Sequence, residues 1–162
     1  LAELLVKAQH PLMGILYGII ITVIIQSSSV VVGLVIVLMG QGTLSLETAI
    51  PIVVGANIGT TSTALLVSLR LKPMSRLVAM SASTFNLLGV LITYPFFGLL
   101  AGIARHFTHD PAIQVAAAFT ISNTYVSVFF LVFLRPTLKL LQQHRWYKQS
   151  MVRSEADKKL FI

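Results

Sequence analysis

PLMGILYGIIITVIIQSSSVVVGLVIVLM, residues 11–39, is the stretch that decides the fold. No charged residue interrupts it, yet Gln26, Ser27, Ser28 and Ser29 stand together at its centre. As one continuous helix it would be about 44 Å long at 1.5 Å per residue, against a hydrocarbon core of ~30 Å. It is too short for two full spans. Two half-length helices meeting at Gln26–Ser29 satisfy both limits and explain where the polar cluster lies. That arrangement is a re-entrant hairpin, tolerated at membrane depth where its tip is covered by protein or faces a water-filled cavity. The alternative is a single tilted helix carrying a serine patch, and length favours the hairpin.

The rest of the chain agrees with a membrane setting. It is 56% hydrophobic and only 10% charged, with a mean hydropathy of +0.86. A soluble domain is usually about a quarter charged. The 162 residues have room for roughly four or five embedded segments of about 20 residues each. There is no cysteine, which excludes disulfides and thiolate metal sites. The chain begins at Leu1 without a charged leader, so no signal peptide is expected and the sequence reads as a piece of a longer protein.

Past the turn at Gly40-Gln41-Gly42-Thr43, Ser45, Glu47 and Thr48 suit a helix start. The run from Ala49 to Leu69 is of spanning length, with Pro51 near its beginning. Gly55-Ala56-Asn57-Ile58-Gly59 interrupts its middle, which predicts a broken helix over 48–69, unwound near Asn57–Gly59 and restarting at Thr60. Two further spans are expected at 77–101 and 112–134, the first carrying Pro95 and the second followed by Pro136. Residues 1–134 thus form one transmembrane domain, and 135–162 a basic tail. The tail can begin as a surface helix, with Trp146 and Tyr147 suited to the headgroup layer. The fold class is all-α integral membrane: a re-entrant hairpin, a broken helix and two more spans.

The net charge of +7 is unevenly placed. Ten of the 12 Lys and Arg residues lie in the loop Arg70–Arg76 or the tail from Arg135 onward. Basic residues beside apolar spans follow the positive-inside rule, which places loop and tail in the cytoplasm and argues against nucleic acid as a partner. The segment Gly40–Glu47 is then outside.

Uncharged polar groups at membrane depth are costly unless they meet one another, water or a solute. Serine hydroxyls and helix-start N–H groups at Ser27–Ser29 suit an anion. The Gln26 carbonyl, the Thr60 and Thr61 hydroxyls and carbonyls around Ala56–Ile58 suit sodium. Broken helices bearing such ligands near the midplane are a pattern of secondary transporters. The bland reading is that Ser and Thr satisfy their own backbone, and that Gly14 and Gly18, like Gly55 and Gly59, are packing positions. Two clusters favour a site over that reading. An enzyme is excluded for want of parts. His10, His106, His109 and His144 fall outside the apolar cores, and no carboxylate lies near Ser27–Ser29. Gly55–Thr61 lacks the lysine of a nucleotide-binding loop. Glu47 reads as a helix-start charge.

"QSSS" at Gln26–Ser29, followed by "GANIGTTSTALL" from Gly55, resembles the type II sodium-dependent phosphate cotransporter family in its bacterial form. Phe85-Asn86-Leu87-Leu88-Gly89-Val90-Leu91 with Tyr94-Pro95 is similar to the segment that follows the second of that family's two inverted QSSS repeats. The resemblance covers residues 14–100. It implies symport of inorganic phosphate with sodium as the coupling ion, no cofactor, and a multi-pass location in a plasma membrane, bacterial inner membrane included. It implies phosphate contacts from Gln26, Ser27, Ser28, Ser29 and Asn57. It implies sodium contacts from Gln26, Ser28, Asn57, Thr60 and Thr61, supported by Ser62, Thr63 and Asn86, with Thr84 as a further candidate. Only one QSSS is present, so the chain holds half a site. The other half is an upstream repeat, another subunit or a second copy. A transporter of another oxyanion or organic anion, a channel-like subunit and a purely structural bundle are the remaining readings.

Overall fold

The computed structural model describes the backbone of residues 10–70 and 73–143 and the side chains of residues 10–70 and 75–133. Every regular element among the described residues is helical. Helix α1 runs Pro11–Ile25, with Pro11 at its first position, where no N–H is needed. It stops at Gln26, the one non-glycine among the described residues in the left-handed region, at φ 61. The Gln26 N–H closes on Thr22 O at 2.6 Å. Ser27 is extended, and its side chain accepts from Val30 N at 3.4 Å, capping α2, Ser28–Gly40. The polar cluster is therefore a real interruption, and one uninterrupted helix over 11–39 is ruled out. At 15 and 13 residues, α1 and α2 are each about 20 Å long, shorter than a ~30 Å hydrocarbon core. Gly42, at φ 69, turns the chain out of α2.

Helix α3, Leu46–Ser68, is one continuous helix of 23 residues. The break expected near Asn57–Gly59 is absent. The glycines are there because α1 lies against them. A methyl group added at Gly55 would collide with Ile15 O, and one at Gly18 with Ile52 O. One added at Gly59 would stand 2.5 Å from Thr22 Cβ and 2.8 Å from Ile19 O. The small-residue spacing thus serves close helix crossing. Helix α3 packs against every other helix and is the axis of the bundle. Ile50, Val53, Val54 and Ala56 are buried along it, with Val31 and Val35 of α2 joining the same core.

Helix α4, Pro73–Thr93, passes through a 3₁₀ turn at Tyr94–Phe96 into α5, Phe97–Phe107. Pro95 cannot donate to the preceding turn, so the expected span 77–101 is two helices in tandem. Helix α6, Pro111–Gln143, starts where Asp110 Oδ1 accepts from Ala112 N at 2.8 Å. It continues through Pro136, where the sequence suggested an end. Val115 and Ala118 seat it in the core. Residues 144–162 lie outside the described residues, and with them the expected Trp146–Tyr147 surface contact.

Among the described residues, three stretches are long and apolar enough to cross a membrane: Leu46–Ser68, Ser75–Phe107 and Pro111–Phe133. Leu12, Leu16, Ile20 and Ile24 form an exposed apolar stripe on α1, at the four-residue spacing of one helix face. Arg105 at the end of α5 pairs with Glu47 at the start of α3, both side chains about half exposed. The pair sets the 40–47 and 105–110 loops at one end of the bundle. Exposed in water, such a pair contributes no more than about 1 kcal/mol. It gives Glu47 a partner that helix-start reasoning alone did not supply.

Candidate functional site

The first cluster is built from a helix start. Ser28 and Ser29 open α2, and no described residue accepts from their backbone N–H groups. Ser27 uses its oxygen as an acceptor for Val30 N–H, which leaves its proton to give. Gln26 and Ser29 are exposed, and Ser27 and Ser28 half-buried. Hydroxyl protons, two free N–H groups and the positive end of a helix dipole therefore converge on one small surface. The arrangement presents donors.

The second cluster is built inside a helix, and there the hydroxyls are already committed. Thr60 Oγ1 donates to Ala56 O at 3.1 Å, and Thr61 Oγ1 to Ile58 O at 3.1 Å. Ser62 Oγ donates to Ile58 O at 3.0 Å, and Thr63 Oγ1 to Thr60 O at 3.3 Å. A hydroxyl that has given its only proton offers lone pairs and nothing else. Thr60 is exposed, and Thr61, Ser62 and Thr63 are half-buried. This run presents acceptors. Thr84, the further candidate on α4, likewise donates to its own helix, to Met80 O at 2.8 Å.

The crossing of α1 with α3 brings the clusters towards each other. Ile15 lies against Gly55 and Thr22 against Gly59, so the two helices advance in the same sense. One further turn along each sets Gln26 at the level of Thr63. No hydrogen bond joins the two clusters among the described residues. Nor does any group of three or more His, Cys, Asp or Glu gather among them. A cation held here would rest on neutral oxygens.

Asn57 lies one turn before Thr61 on the same side of α3 and reaches into a polar junction. Its Nδ2 donates to Asn123 Oδ1 at 3.1 Å, and Asn86 Nδ2 donates to Asn57 O at 2.7 Å. Asn57 and Asn86 were expected from the sequence, but Asn123 was missed. The signal was present: Ser122-Asn123-Thr124 is a third polar run inside an apolar stretch. The reasoning that singled out Gln26–Ser29 applies to it equally. A cavity of about 20 Å³ lies here, lined by Asn57, Asn86, Thr93, Ser122 and Asn123 among others. Elsewhere in the core, Thr22 Oγ1 is buried without a hydrogen-bond partner.

The family described as Na+/Pi-cotransporter matches residues 1–134. The uncharacterized protein YqeW of Bacillus subtilis is 32% identical over 118 residues, covering 73% of this chain and 38% of that protein. The human sodium-dependent phosphate transport protein 2C is 38% identical over 127 residues, covering 74% of this chain and 20% of that protein. The rat sodium-dependent phosphate transport protein 2B is 36% identical over 128 residues, covering 75% of this chain and 17% of that protein. The chain thus spans well under half the length of these relatives. No solved structure matches. With its matched region taking in both polar clusters and the helices that carry them, the chain belongs to the Na+/Pi-cotransporter family.

Proposed function

We propose that this chain supplies one repeat of a sodium-coupled phosphate symporter that works by alternating access. The observation that carries the reading is the opposite hydrogen-bonding polarity of the two clusters. Ser27, Ser28 and Ser29 with the α2 N-terminus offer donors, which a phosphate needs. Thr60 and Thr61, reinforced by Ser62 and Thr63, offer spent hydroxyls, which sodium needs. Gln26 has one group of each kind and stands at the level of the acceptor run, so its amide serves both solutes. Asn57 and Asn86 tie the centre of α3 to α6 and α4. The relatives named as sodium-dependent phosphate transport proteins support the same pair of solutes.

No Lys or Arg lies in either cluster, so a phosphate dianion would be neutralised by its coupling ions. That is the physical reason for symport: each solute lowers the electrostatic cost of the other in a low-dielectric setting. The short helices α1 and α2 act in this reading as a re-entrant hairpin with Gln26–Ser29 at its tip. The facing half-site comes from an upstream repeat, another subunit or a second copy, with lipid covering the outer face of α1. Arg70–Arg76 and the tail lie in the cytoplasm, and the end marked by Glu47 and Arg105 lies outside.

The test is radiolabelled phosphate uptake into proteoliposomes carrying the full-length protein, with and without an inward sodium gradient. Saturable, sodium-dependent uptake that falls in Ser28→Ala and Asn57→Ala is expected. Uptake that ignores sodium would overturn the coupling. Strong competition by sulfate over phosphate would reassign the anion.

A further inference from the structure

Three helices meet at three asparagines: Asn57 of α3, Asn86 of α4 and Asn123 of α6. Each amide carries two N–H donors, and each uses one of them. Asn57 donates to Asn123 Oδ1, Asn86 to Asn57 O, and Asn123 to Phe119 O at 2.9 Å. The Oδ1 atoms of Asn57 and Asn86 accept from no described residue. Ser122 has given its proton to Phe119 O at 2.8 Å, and Thr93 has given its own to Gly89 O at 2.6 Å. Both retain lone pairs. The walls therefore hold spare donors and spare acceptors together where α3, α4 and α6 meet.

The cavity lined by these groups is about 20 Å³. A cavity needs roughly 10–15 Å³ to take one water, and the water needs two to four polar partners. Both conditions are met. A phosphate is several times too large. A bare cation would find no carboxylate among the lining residues and would meet amide protons as well as oxygens. Water can give to the free Oδ1 atoms and accept from the remaining N–H groups at once.

We propose that this junction is a binding site for a single internal water, which joins α3, α4 and α6 through Asn57, Asn86, Ser122 and Asn123. The water gives the Asn57 and Asn86 side-chain oxygens, which accept from no described residue, a donor. The inference stands on the cavity and its hydrogen bonds, and does not depend on what the protein transports.

The test is a structure of the full-length protein at a resolution that shows ordered waters, determined once in sodium buffer and once with choline in its place. One density peak is expected in both, at hydrogen-bonding distance (~2.5–3.2 Å) from the Asn57 or Asn86 side chain. A site without density in both structures would overturn the proposal. So would a peak seen only with sodium, which would make the occupant a cation. In Gly89→Ala the added methyl stands at the cavity wall, 3.0 Å from Val126 Cγ1. That variant is expected to lose the peak while keeping the Asn57–Asn123 hydrogen bond. A peak that persists unchanged beside the new methyl would overturn the assignment to this cavity.

Discussion

The cluster at Ser27–Ser29 and the cluster at Thr60–Thr63 are made of the same functional group, and they present opposite chemistry. The serines sit at the first turn of a helix, where backbone N–H groups have no carbonyl to meet. The Thr60–Thr63 hydroxyls sit within a helix, where a carbonyl three or four residues back takes each proton. One site is left with protons and the other with lone pairs. A hydroxyl does not by itself declare whether it serves an anion or a cation. Its position in the helix decides.

The largest effect should come from forcing the two regions apart. Gly18→Val places a branched side chain against the Ile52 carbonyl on α3. Overpacking against backbone costs about 3 kcal/mol or more. A sharp drop in the thermal midpoint of the purified protein is expected, with phosphate uptake lost. An unchanged midpoint would mean that α1 does not cross α3 as described.

Next come the clusters themselves, where the contrast can be sharpened. Ser28→Ala removes one donor to an anion, a bond of about 1.5–3 kcal/mol. The half-saturating phosphate concentration should rise at least tenfold when measured at saturating sodium. Thr60→Val removes an acceptor that the helix does not need for its own backbone. The half-saturating sodium concentration should rise several-fold, for a loss of about 1 kcal/mol. Measured at saturating sodium, phosphate affinity should then stay close to that of the parent protein. The reverse pattern in the two variants would exchange the assignments.

The smallest effect is expected at Thr22, whose buried hydroxyl lies where α1 meets α3 and has no partner. Thr22→Val keeps the shape and removes an unsatisfied group. Stability should be unchanged or higher by about 1 kcal/mol, read from thermal unfolding. Lost transport at preserved stability would show that the hydroxyl finds a partner during the cycle.

Much of this was legible in the residues. The interruption at Gln26 was readable because a run too long for one span and too short for two has a polar cluster at its centre. The second cluster was legible as polar groups at membrane depth, though its polarity was not. Asn123 was legible as part of the polar run Ser122-Asn123-Thr124 and was passed over, but its pairing with Asn57, 66 residues away, needed α6 folded against α3. Glu47 was read from its own helix, and its partner Arg105 is 58 residues away.

What the sequence by itself determined is the solvent and the local limits of the backbone. Composition places the chain in a bilayer, and Ser27 can cap a helix that Gln26 has just ended. Those outcomes depend on neighbours along the chain. What only the tertiary structure decided is the meaning of residues that are ambiguous alone. Gly55 and Gly59 can unwind a helix or admit another one, and the backbone of α1 lying against them settles it as packing. Pro136 can end a helix or ride within it, and α6 runs on. A glycine's role depends on which atom occupies the space where its side chain would be, and that atom belongs to a different helix.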